Sequence, residues 1–269
     1  MGVLDGKRAL VFGVANHRSI AWGIAKAFHR EGATVGLSYA GPALERRVRP
    51  LAQELGIEFV EPCDVTKDEE IAAIAAKARD HFGQIDILVH SIAFADREDL
   101  ARPFIQTSRA GFLLAMEVSV YSLVALARAF QPLMPAGGSI ITLTYYGGEK
   151  VAPGYNVMGV AKAALESSMR YLAYDLGPAG IRVNAISAGP IKTLAAAGVS
   201  GFKTMYKMFP LLAPLKQPVT QDDVGNAAVF LASDWAAKIT GQVLFVDSGM
   251  NIMAFPDKDT LVREFGAGD

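Results

Sequence analysis

The sequence predicts an α/β fold in which helices cover both faces of a parallel β-sheet of about seven strands. Two observations favour this fold class. Short β-branched stretches alternate with longer helical patterns, and several strands are nearly continuous apolar runs, as burial on both faces of a sheet demands. Strict alternation of strands and helices gives βαβ units with right-handed crossovers, so the units should assemble into one doubly wound sheet.

The elements follow one another in a regular order along the chain. Strands are predicted to begin at Arg8, Thr34, Ile57, Ile85, Gly138, Ile181 and Gln242. Helices are predicted over residues 20–31, 43–55, 68–82, 112–130, 156–176 and 222–231. Ligands of doubly wound sheets bind beyond the carboxyl ends of the strands, so the residues just after each strand are the first candidates for a site.

Composition excludes several classes of protein. The chain has 269 residues, of which 51% are hydrophobic and 20% charged, so it can bury a full core without disulfides or metal. The formal net charge of −1 gives no strong field for nucleic acid or a membrane surface. Cys63 is the single cysteine, which fits a reducing compartment, and the four histidines show no metal-ligand spacing. No secretory signal is expected at the N-terminus.

The most apolar window, residues 111–130, is long enough to raise the possibility of a membrane span. Glu117 and Arg128 interrupt it, and it lies between two strand-like segments. We therefore predict a buried helix that packs in the core or against another subunit, without membrane insertion.

The turn after the first strand has the features of a phosphate site, although the G-x-G-x-x-G fingerprint is absent. Gly13 permits a tight turn, and Ser19 can cap the next helix and offer its hydroxyl. The free N–H groups of Ser19 and Ile20 would lie at the positive end of the helix dipole, where a pyrophosphate binds well. The alternative is an ordinary helix cap.

The end of the second strand bears on cofactor choice. Enzymes that select NAD often place an acid there to hold the adenosine ribose. This chain has Tyr39 and Ala40 instead, with Arg46 and Arg47 further on. The arginines are typical of a solvated helix face, but one could reach a 2′-phosphate. Ala40 is counted as a cofactor contact, and the choice between NADH and NADPH stays open.

The third and fourth strands end in further candidates. The Asp64 carboxylate can accept a hydrogen bond from an adenine amino group, with the N–H of Val65 nearby; the alternative is a helix N-cap. Backbone groups close to the ribose and nicotinamide are expected from Ser91, Ile92 and Ala93. His90 lies inside the fourth strand, and we predict a core histidine with satisfied hydrogen bonds rather than a catalytic one.

A tyrosine and a lysine follow the fifth strand at helical spacing. Tyr155 and Lys162 are seven residues apart, which is about 20° short of two full helical turns, so both side chains share one face about 10.5 Å apart along the axis. A nearby cation stabilises a phenolate, and a lysine can bind ribose hydroxyls while the tyrosine binds substrate. The alternative is a surface aromatic beside an unrelated lysine.

The wider motifs around this pair resemble a known superfamily. The tyrosine and lysine after the fifth strand resemble the arrangement of the short-chain dehydrogenase/reductases, and the segments "GVANHRSIAWGIA", "HSIAFA", "YYGGEKVAPGYNVMGVAK" and "ISAGPIKTLAA" are similar to motifs of one family within them, the enoyl-acyl-carrier-protein reductases. Most members of the superfamily place the lysine four residues after the tyrosine, a position that Gly159 fills here. The six-residue gap, with Tyr145 ten positions before Tyr155, resembles the enoyl-acyl-carrier-protein reductases of bacterial fatty-acid synthesis. The resemblance covers roughly residues 4–255.

The resemblance implies a fold, an activity and a setting. It implies a single-domain Rossmann-like unit over residues 1–255, with a substrate-binding loop at about 189–212 and a C-terminal tail at 256–269. The implied reaction is NADH-dependent reduction of trans-2-enoyl thioesters carried by acyl-carrier protein, with NADPH not excluded. The implied enzyme is a cytoplasmic homotetramer.

The resemblance also assigns roles to residues. Tyr155 would donate a hydrogen bond to the enolate oxygen, Lys162 would hold the nicotinamide ribose, and Tyr145 would be the second active-site tyrosine, with a less defined role. Further cofactor contacts are implied at Ile191, Thr193, Leu194 and Ala195. Substrate contacts are implied at Ala95 and Met158, in addition to the two tyrosines.

The segment after the sixth strand predicts a mobile cover over an acyl chain. It is small and apolar, it carries Phe202 and Met205 as predicted substrate contacts, and Gly198 and Gly201 flank it. The alternative is a plain core helix. An acidic carrier protein would favour nearby cations such as Lys203 and Lys207.

Two other functions are weighed against this one. The first is a broader short-chain reductase acting on a carbonyl or an enoyl-CoA substrate, and the spacing of Tyr155 and Lys162 argues against carbonyl chemistry. The second is a nucleotide-sensing module without catalysis, which the intact Tyr145, Tyr155 and Lys162 argue against.

Overall fold

Seven parallel strands form a single sheet in the computed structural model, which describes residues 2–194, 196–198 and 201–266. The strands are β1 (Arg8–Phe12), β2 (Thr34–Tyr39), β3 (Val60–Pro62), β4 (Ile87–His90), β5 (Ser139–Thr144), β6 (Arg182–Ala188) and β7 (Val243–Val246). Their spatial order is β3-β2-β1-β4-β5-β6-β7. The order reverses between β1 and β4, which leaves a crevice at their carboxyl ends. The predicted doubly wound parallel sheet is confirmed.

Helices connect the strands and cover both faces of the sheet. They are α1 (Ile20–Arg30), α2 (Pro42–Glu54), α3 (Asp68–Phe82), α4 (Arg97–Ala101), α5 (Arg109–Met116), α6 (Ser122–Phe130), α7 (Val157–Leu176), α8 (Phe202–Leu212), α9 (Gln221–Ala232) and α10 (Lys258–Phe265). The six helices predicted from the sequence are all present, with ends shifted by a few residues.

The buried apolar side chains form two clusters, one on each side of the sheet. One cluster joins the inner faces of α1, α2 and α9, and it includes the fully buried Phe28. The other joins α3, α5, α6 and α7, and there Phe130 meets Phe12 edge to face at 5.8 Å. Burial on both faces explains why the central strands β1 and β4 are mostly apolar in sequence.

Three elements differ from the predicted pattern. Strand β3 begins at Val60 rather than Ile57, because the Ile57 N–H still closes the end of α2 by donating to Ala52 O at 2.9 Å. A π-helical turn at Glu117–Tyr121 separates α5 from α6 in what was predicted as one helix. The segment expected to be a C-terminal tail contains α10, whose first turn is capped by the Asp257 side chain.

The apolar segment Arg109–Leu133 is long and apolar enough to cross a membrane by length and composition, and half of its most apolar window is buried. It packs against α3 and α7, and Arg128 lies 3.8 Å from the Asp68 carboxylate on α3. The prediction of a buried helix is therefore confirmed for its inner face, while Leu113 and Tyr121 on its outer face stay exposed.

Candidate active site

The crevice between β1 and β4 brings the first strand turn against the loop after β4. Gly13 has φ of 98°, and a Cβ added there would lie 2.0 Å from Ser91 O. The Ser91 N–H donates in turn to Phe12 O at 3.1 Å. Only glycine combines this positive φ with such a close approach, so Gly13 lets the turn after β1 pack directly against the loop after β4.

Ser19 is in place at the start of α1 but acts differently from the prediction. Its hydroxyl accepts from Ala15 N–H at 3.0 Å and Asn16 N–H at 3.1 Å, so it closes the preceding loop and does not cap the helix. The Ser19 N–H donates to Asn16 O at 3.0 Å, and the expectation that this N–H is free is wrong. Because the Ser19 oxygen is the acceptor in both bonds, its hydroxyl proton is still available for donation. Helix α1 begins at Ile20, as expected.

Ala40 and Asp64, at the ends of β2 and β3, line one cleft of about 640 Å³ together with Lys67 and Glu70. The Asp64 carboxylate accepts from both the N–H and the hydroxyl of Thr66, and these bonds lower the pKa of Asp64. Its second oxygen lies 3.7 Å from Lys67 Nζ at the surface. The neighbouring Val65 is buried. The cleft is large enough for the adenosine half of a dinucleotide.

Tyr145 and Tyr155 meet edge to face, with ring centroids 4.9 Å apart. Gly147 makes room for both rings, because a Cβ there would lie 2.6 Å from Tyr155 Cδ1 and 3.0 Å from Tyr145 Cδ1. A Cβ at Gly159 would lie 2.7 Å from Gly147 O. The position four residues after Tyr155 therefore has no room for a side chain, and the lysine comes two turns along the helix instead.

Lys162 is a buried cation on α7, and Tyr155 lies in the turn before this helix, so the prediction that both side chains share one helical face is wrong. It is 5% exposed, and its Nζ donates to Leu143 O at 2.7 Å. Burial lowers the pKa of Lys162 to about 8, and the Glu166 carboxylate partly opposes this shift. Glu166 lies one turn further along α7 and accepts from the Thr144 hydroxyl at 2.6 Å. Two of the ammonium's three hydrogens are left for other acceptors.

Both tyrosines favour the protonated, hydrogen-bond-donating form. Burial raises the pKa of Tyr155, and Tyr145 raises it further. Burial also raises the pKa of Tyr145. A neutral phenol in a buried site is a donor for an oxygen that becomes negative during a reaction.

His90 is a core histidine, as predicted. Its Nδ1 is 2.9 Å from the Thr142 hydroxyl and its Nε2 is 2.8 Å from the Ser122 hydroxyl. Ser122 donates its own proton to Val118 O at 2.7 Å, so the His90 Nε2 must be the N–H that Ser122 accepts. Burial lowers the pKa of His90 to about 3, which keeps the ring neutral.

The segment after β6 lies beside the tyrosines. Ile191 is buried, Leu194 is half exposed, and the Thr193 hydroxyl accepts from Ala196 N–H at 3.1 Å. Ala195, also predicted as a cofactor contact, lies outside the described residues.

Helix α8 contacts the active site through Met205. The Tyr145 hydroxyl lies 3.2 Å from Met205 Sδ. The ring of Phe202 lies 6.0 Å from Tyr206 on the same helix, so the described contacts bring Met205 but not Phe202 to the tyrosines. Lys192 Nζ lies 4.2 Å over the Tyr206 ring, which joins α8 to the loop after β6.

The loop after β4 carries the remaining predicted residues. Ile92 and Ala95 pack partly against the core, and Ala93 is exposed. Ser119, in the π-helical turn, accepts from Phe94 N–H at 3.0 Å and donates to Phe94 O at 3.1 Å. Its hydroxyl also lies 3.9 Å from the sulfur of the buried Met158.

Sequence reasoning missed four residues that hold this arrangement: Ser119, Thr144, Asn156 and Glu166. Glu166 had a signal, because an acid four residues after Lys162 on one helical face is visible in the sequence. Ser119 and Asn156 bind backbone groups of distant segments, and Thr144 binds the Glu166 carboxylate, so no local pattern reveals these three.

A dinucleotide with a nicotinamide end fits these residues. The glycine-lined turn at the start of α1 suits a pyrophosphate, the cleft at Ala40 suits adenosine, and Lys162 suits ribose hydroxyls. Within the described part of the chain, no group of three His, Cys, Asp or Glu side chains is arranged to hold a metal.

Comparison with known proteins agrees with the geometry. A family model described as Enoyl-(Acyl carrier protein) reductase matches residues 13–251. The enoyl-[acyl-carrier-protein] reductase [NADH] FabI of Aquifex aeolicus is 53% identical, with 100% of both chains covered. The Bacillus cereus FabI [NADH] is 54% identical over 94% of this chain and 100% of its own.

Solved structures give the same result. The crystal structure of the Aquifex aeolicus reductase superposes with a TM-score of 0.92 at 55% identity, over 94% of this chain and 100% of the other. The Bacillus cereus reductase with NADP+ and indole naphthyridinone superposes with a TM-score of 0.93 at 52% identity, over 95% of this chain and 100% of the other. The Anaplasma phagocytophilum reductase with NAD reaches 0.91 at 43% identity, over 96% of both chains. With a family model matched over most of its length and relatives above half identity, this chain belongs to the enoyl-(acyl carrier protein) reductase family.

Proposed function

We infer that the protein reduces trans-2-enoyl thioesters of acyl-carrier protein to saturated acyl thioesters with NADH, the last reductive step of bacterial type II fatty-acid elongation. The observation that carries this conclusion is the edge-to-face pair of Tyr145 and Tyr155, with Tyr155 in the turn directly before α7, the helix that carries the buried Lys162. Residues 1–255 are proposed as the catalytic unit, with residues 189–212 as its substrate-binding loop.

NADH, when bound, supplies the hydride that goes to the β-carbon of the enoyl group. Negative charge then develops on the thioester oxygen, several bonds from the carbon that is reduced. We assign to Tyr155 the hydrogen bond that stabilises this oxygen, since its neutral phenol is fixed before the reaction begins. A carbonyl reductase would instead need its donor one bond from the reduced carbon.

Lys162 is assigned to the nicotinamide ribose. Its bond to Leu143 O fixes the ammonium at the carboxyl end of β5 and leaves two hydrogens for ribose hydroxyls. Tyr145 contacts Met205 and thus links the active site to α8. We propose that Met158 and Ala95, with α8, line the channel for the acyl chain, and that α8 excludes water when substrate is bound.

An assay with two thioesters tests the reaction class. We expect NADH oxidation with crotonyl thioester and none above background with acetoacetyl thioester, followed by nicotinamide absorbance. The same assay with NADPH in place of NADH decides the cofactor preference, because Ala40 carries no acid that would repel a 2′-phosphate and Arg46 and Arg47 lie exposed on α2. Turnover of the ketoacyl thioester alone would assign the chain to carbonyl reduction instead.

A homotetramer is proposed from two separate apolar surfaces. The first, on α5 to α7, exposes Leu113 and Tyr174 by 61% and 81%. The second lies beyond the edge strand β7, where Ile252 and Phe255 are 75% and 79% exposed. Large exposed apolar patches mark interfaces, and two self-complementary patches on one chain produce a closed tetramer with dihedral symmetry.

Light scattering after size exclusion tests this assembly. The wild-type protein should have the mass of four chains, and Leu113→Glu should have the mass of two because a charge is placed in one interface only. Ala43→Glu adds the same charge at an exposed position on α2, on the opposite face of the sheet, and should stay tetrameric. A monomeric wild-type protein would contradict the proposal.

The carrier protein and the location of the enzyme follow from the same function. We propose that an acidic carrier docks near Lys203 and Lys207, which are exposed one turn apart on α8 beside the active site. A cytoplasmic location is proposed because the single cysteine, Cys63, is free and buried, which fits a reducing compartment.

A further inference from the structure

Asn156 has a strained backbone directly after the active-site tyrosine. Its φ of 43° and ψ of −123° fall in a region that belongs to glycine, and only three non-glycine residues in the described part of the chain have positive φ. The Met158 N–H donates to Tyr155 O at 3.0 Å. These features define a type II′ turn in which Asn156 occupies the position that usually requires glycine.

The Asn156 side chain bridges this turn to another segment. Its Nδ2 donates to Leu100 O at 3.0 Å and to Arg102 O at 2.6 Å. Both acceptors are main-chain carbonyls at the end of α4, which follows the loop after β4. The two hydrogens of the amide are thus both used, and an oxygen in that position would face two carbonyl oxygens. These two hydrogen bonds are called the Asn156 bridge below.

The position of the bridge explains why a strained residue occurs there. Glycine at position 156 would adopt the same turn without strain but could not make the bridge. The strained backbone at Asn156 therefore accompanies a fixed link between the Tyr155 turn and the end of α4, the helix that follows the loop Ser91–Ala95. Strain of this kind persists where the surrounding structure holds it, and active sites are where it concentrates.

On the other side, the Tyr155 ring packs against Gly147, where no side chain fits. The ring is thus held on one side by packing and at its backbone by the turn. A displacement of a reacting or stabilising group by about 1 Å can cost roughly 100-fold in rate. The orientation of the turn should therefore affect the reaction rate, even though Asn156 itself need not touch substrate.

We propose that Asn156 is a positioning residue whose bridge to Leu100 O and Arg102 O fixes the strained turn that orients Tyr155. This inference rests on the proposed function, because it assigns to Asn156 an effect on the step that Tyr155 serves. It concerns kcat for the enoyl thioester rather than NADH binding.

Two substitutions separate the bridge from the turn. Asn156→Gly keeps the turn geometry and removes the bridge, while Asn156→Asp keeps the size but places an oxygen where two carbonyls need a donor. We expect kcat with crotonyl thioester to fall about 10- to 100-fold in both, with KM for NADH changed less than about twofold and the melting temperature of Asn156→Gly near that of the wild type. The aspartate variant decides the matter if the glycine variant does not fold.

Ser248→Gly provides a matched control. Ser248 also has positive φ, at 54°, and its side chain donates to one main-chain carbonyl, Gln217 O, at 2.9 Å. This substitution should leave kcat unchanged, because the turn it relaxes is not attached to Tyr155.

A double-mutant cycle completes the test. In a Tyr155→Phe background, Asn156→Gly should lower kcat no further, since residues that act through one group are not additive. Wild-type kcat in Asn156→Gly, or an equal loss of kcat in both backgrounds, would overturn the proposal. Failure of the proposed function is seen separately, as a wild-type enzyme that does not reduce crotonyl thioester.

Discussion

Tyr155→Phe should lower kcat with crotonyl thioester by about 100- to 1,000-fold while changing KM little, because a donor aimed at charge that develops in the transition state is lost. The ring remains, so packing against Tyr145 and Gly147 is kept. An interaction made only in the transition state lowers kcat and kcat/KM together. Steady-state kinetics with varied thioester and saturating NADH measure both.

Tyr146→Phe is the matched control for this loss. Tyr146 is the adjacent tyrosine in sequence, but its ring packs against Phe245 at 6.4 Å, at the edge strand. Removing its hydroxyl should leave kcat near the wild-type value. An unchanged kcat in Tyr155→Phe would remove Tyr155 from the proposed role, whatever the control shows.

The second large effect is expected at Lys162. Lys162→Met keeps the apolar stem and removes the cation, and we expect the dissociation constant for NADH to rise about 10- to 100-fold, as for the loss of hydrogen bonds from a charged group. Tryptophan or nucleotide fluorescence titration would measure this constant without turnover. Wild-type affinity in this variant would show that Lys162 does not hold the cofactor.

The pH dependence follows from the lowered pKa of Lys162. Burial places this pKa at about 8, so the ammonium is charged below that pH and neutral above it. We expect kcat/KM for NADH, which reports the free enzyme, to fall as pH rises through about 8. His90 stays neutral and Tyr155 stays protonated over this range, because burial lowers the pKa of the first and raises that of the second.

Lys162→Arg should abolish the step near pH 8, because a guanidinium stays charged throughout this range.

The lowered pKa of Lys162 also makes the stability of the folded chain depend on pH. The unfolded chain holds the Lys162 proton at a higher pH than the folded chain does, so burial of the charge costs stability fully below about pH 8. That cost is recovered as pH rises from about 8 toward the ordinary lysine pKa. Over this range Lys162 therefore makes the fold more stable, while its affinity for the cofactor falls.

Much of the fold could be read from local patterns. The apolar runs of β1, β4 and β5 predicted strands buried on both faces, and the structure has them at the centre of the sheet. The ends of elements were less accurate where the hydrogen bonds that close a helix decided them, as at Ile57, whose N–H donates to Ala52 O at the end of α2. The π-helical turn at Glu117–Tyr121 could not be foreseen, because the apolar pattern continues through it.

The candidate site was predicted unevenly for the same physical reason. The prediction that Tyr155 and Lys162 share a helical face is wrong, because α7 begins at Val157 and Tyr155 lies in the turn before it. The structure does place the Tyr155 ring against Tyr145. Ser19 was expected to cap α1, but its hydroxyl binds two N–H groups of the preceding loop, and a choice between acceptors depends on the loop conformation. Likewise, the Asp64 carboxylate was expected to accept from an adenine amino group, and in the structure one of its oxygens accepts from the N–H and the hydroxyl of Thr66.

The amino-acid sequence by itself determined the order of strands and helices and the tight turn that Gly13 permits after the first strand. These depend on neighbours within a few turns of chain. Only the tertiary structure decided that Leu143 O holds Lys162, that Met205 reaches Tyr145, and that Leu100 O and Arg102 O hold Asn156. Each of these contacts joins segments far apart in sequence, so its geometry exists only once both sides of the sheet are packed.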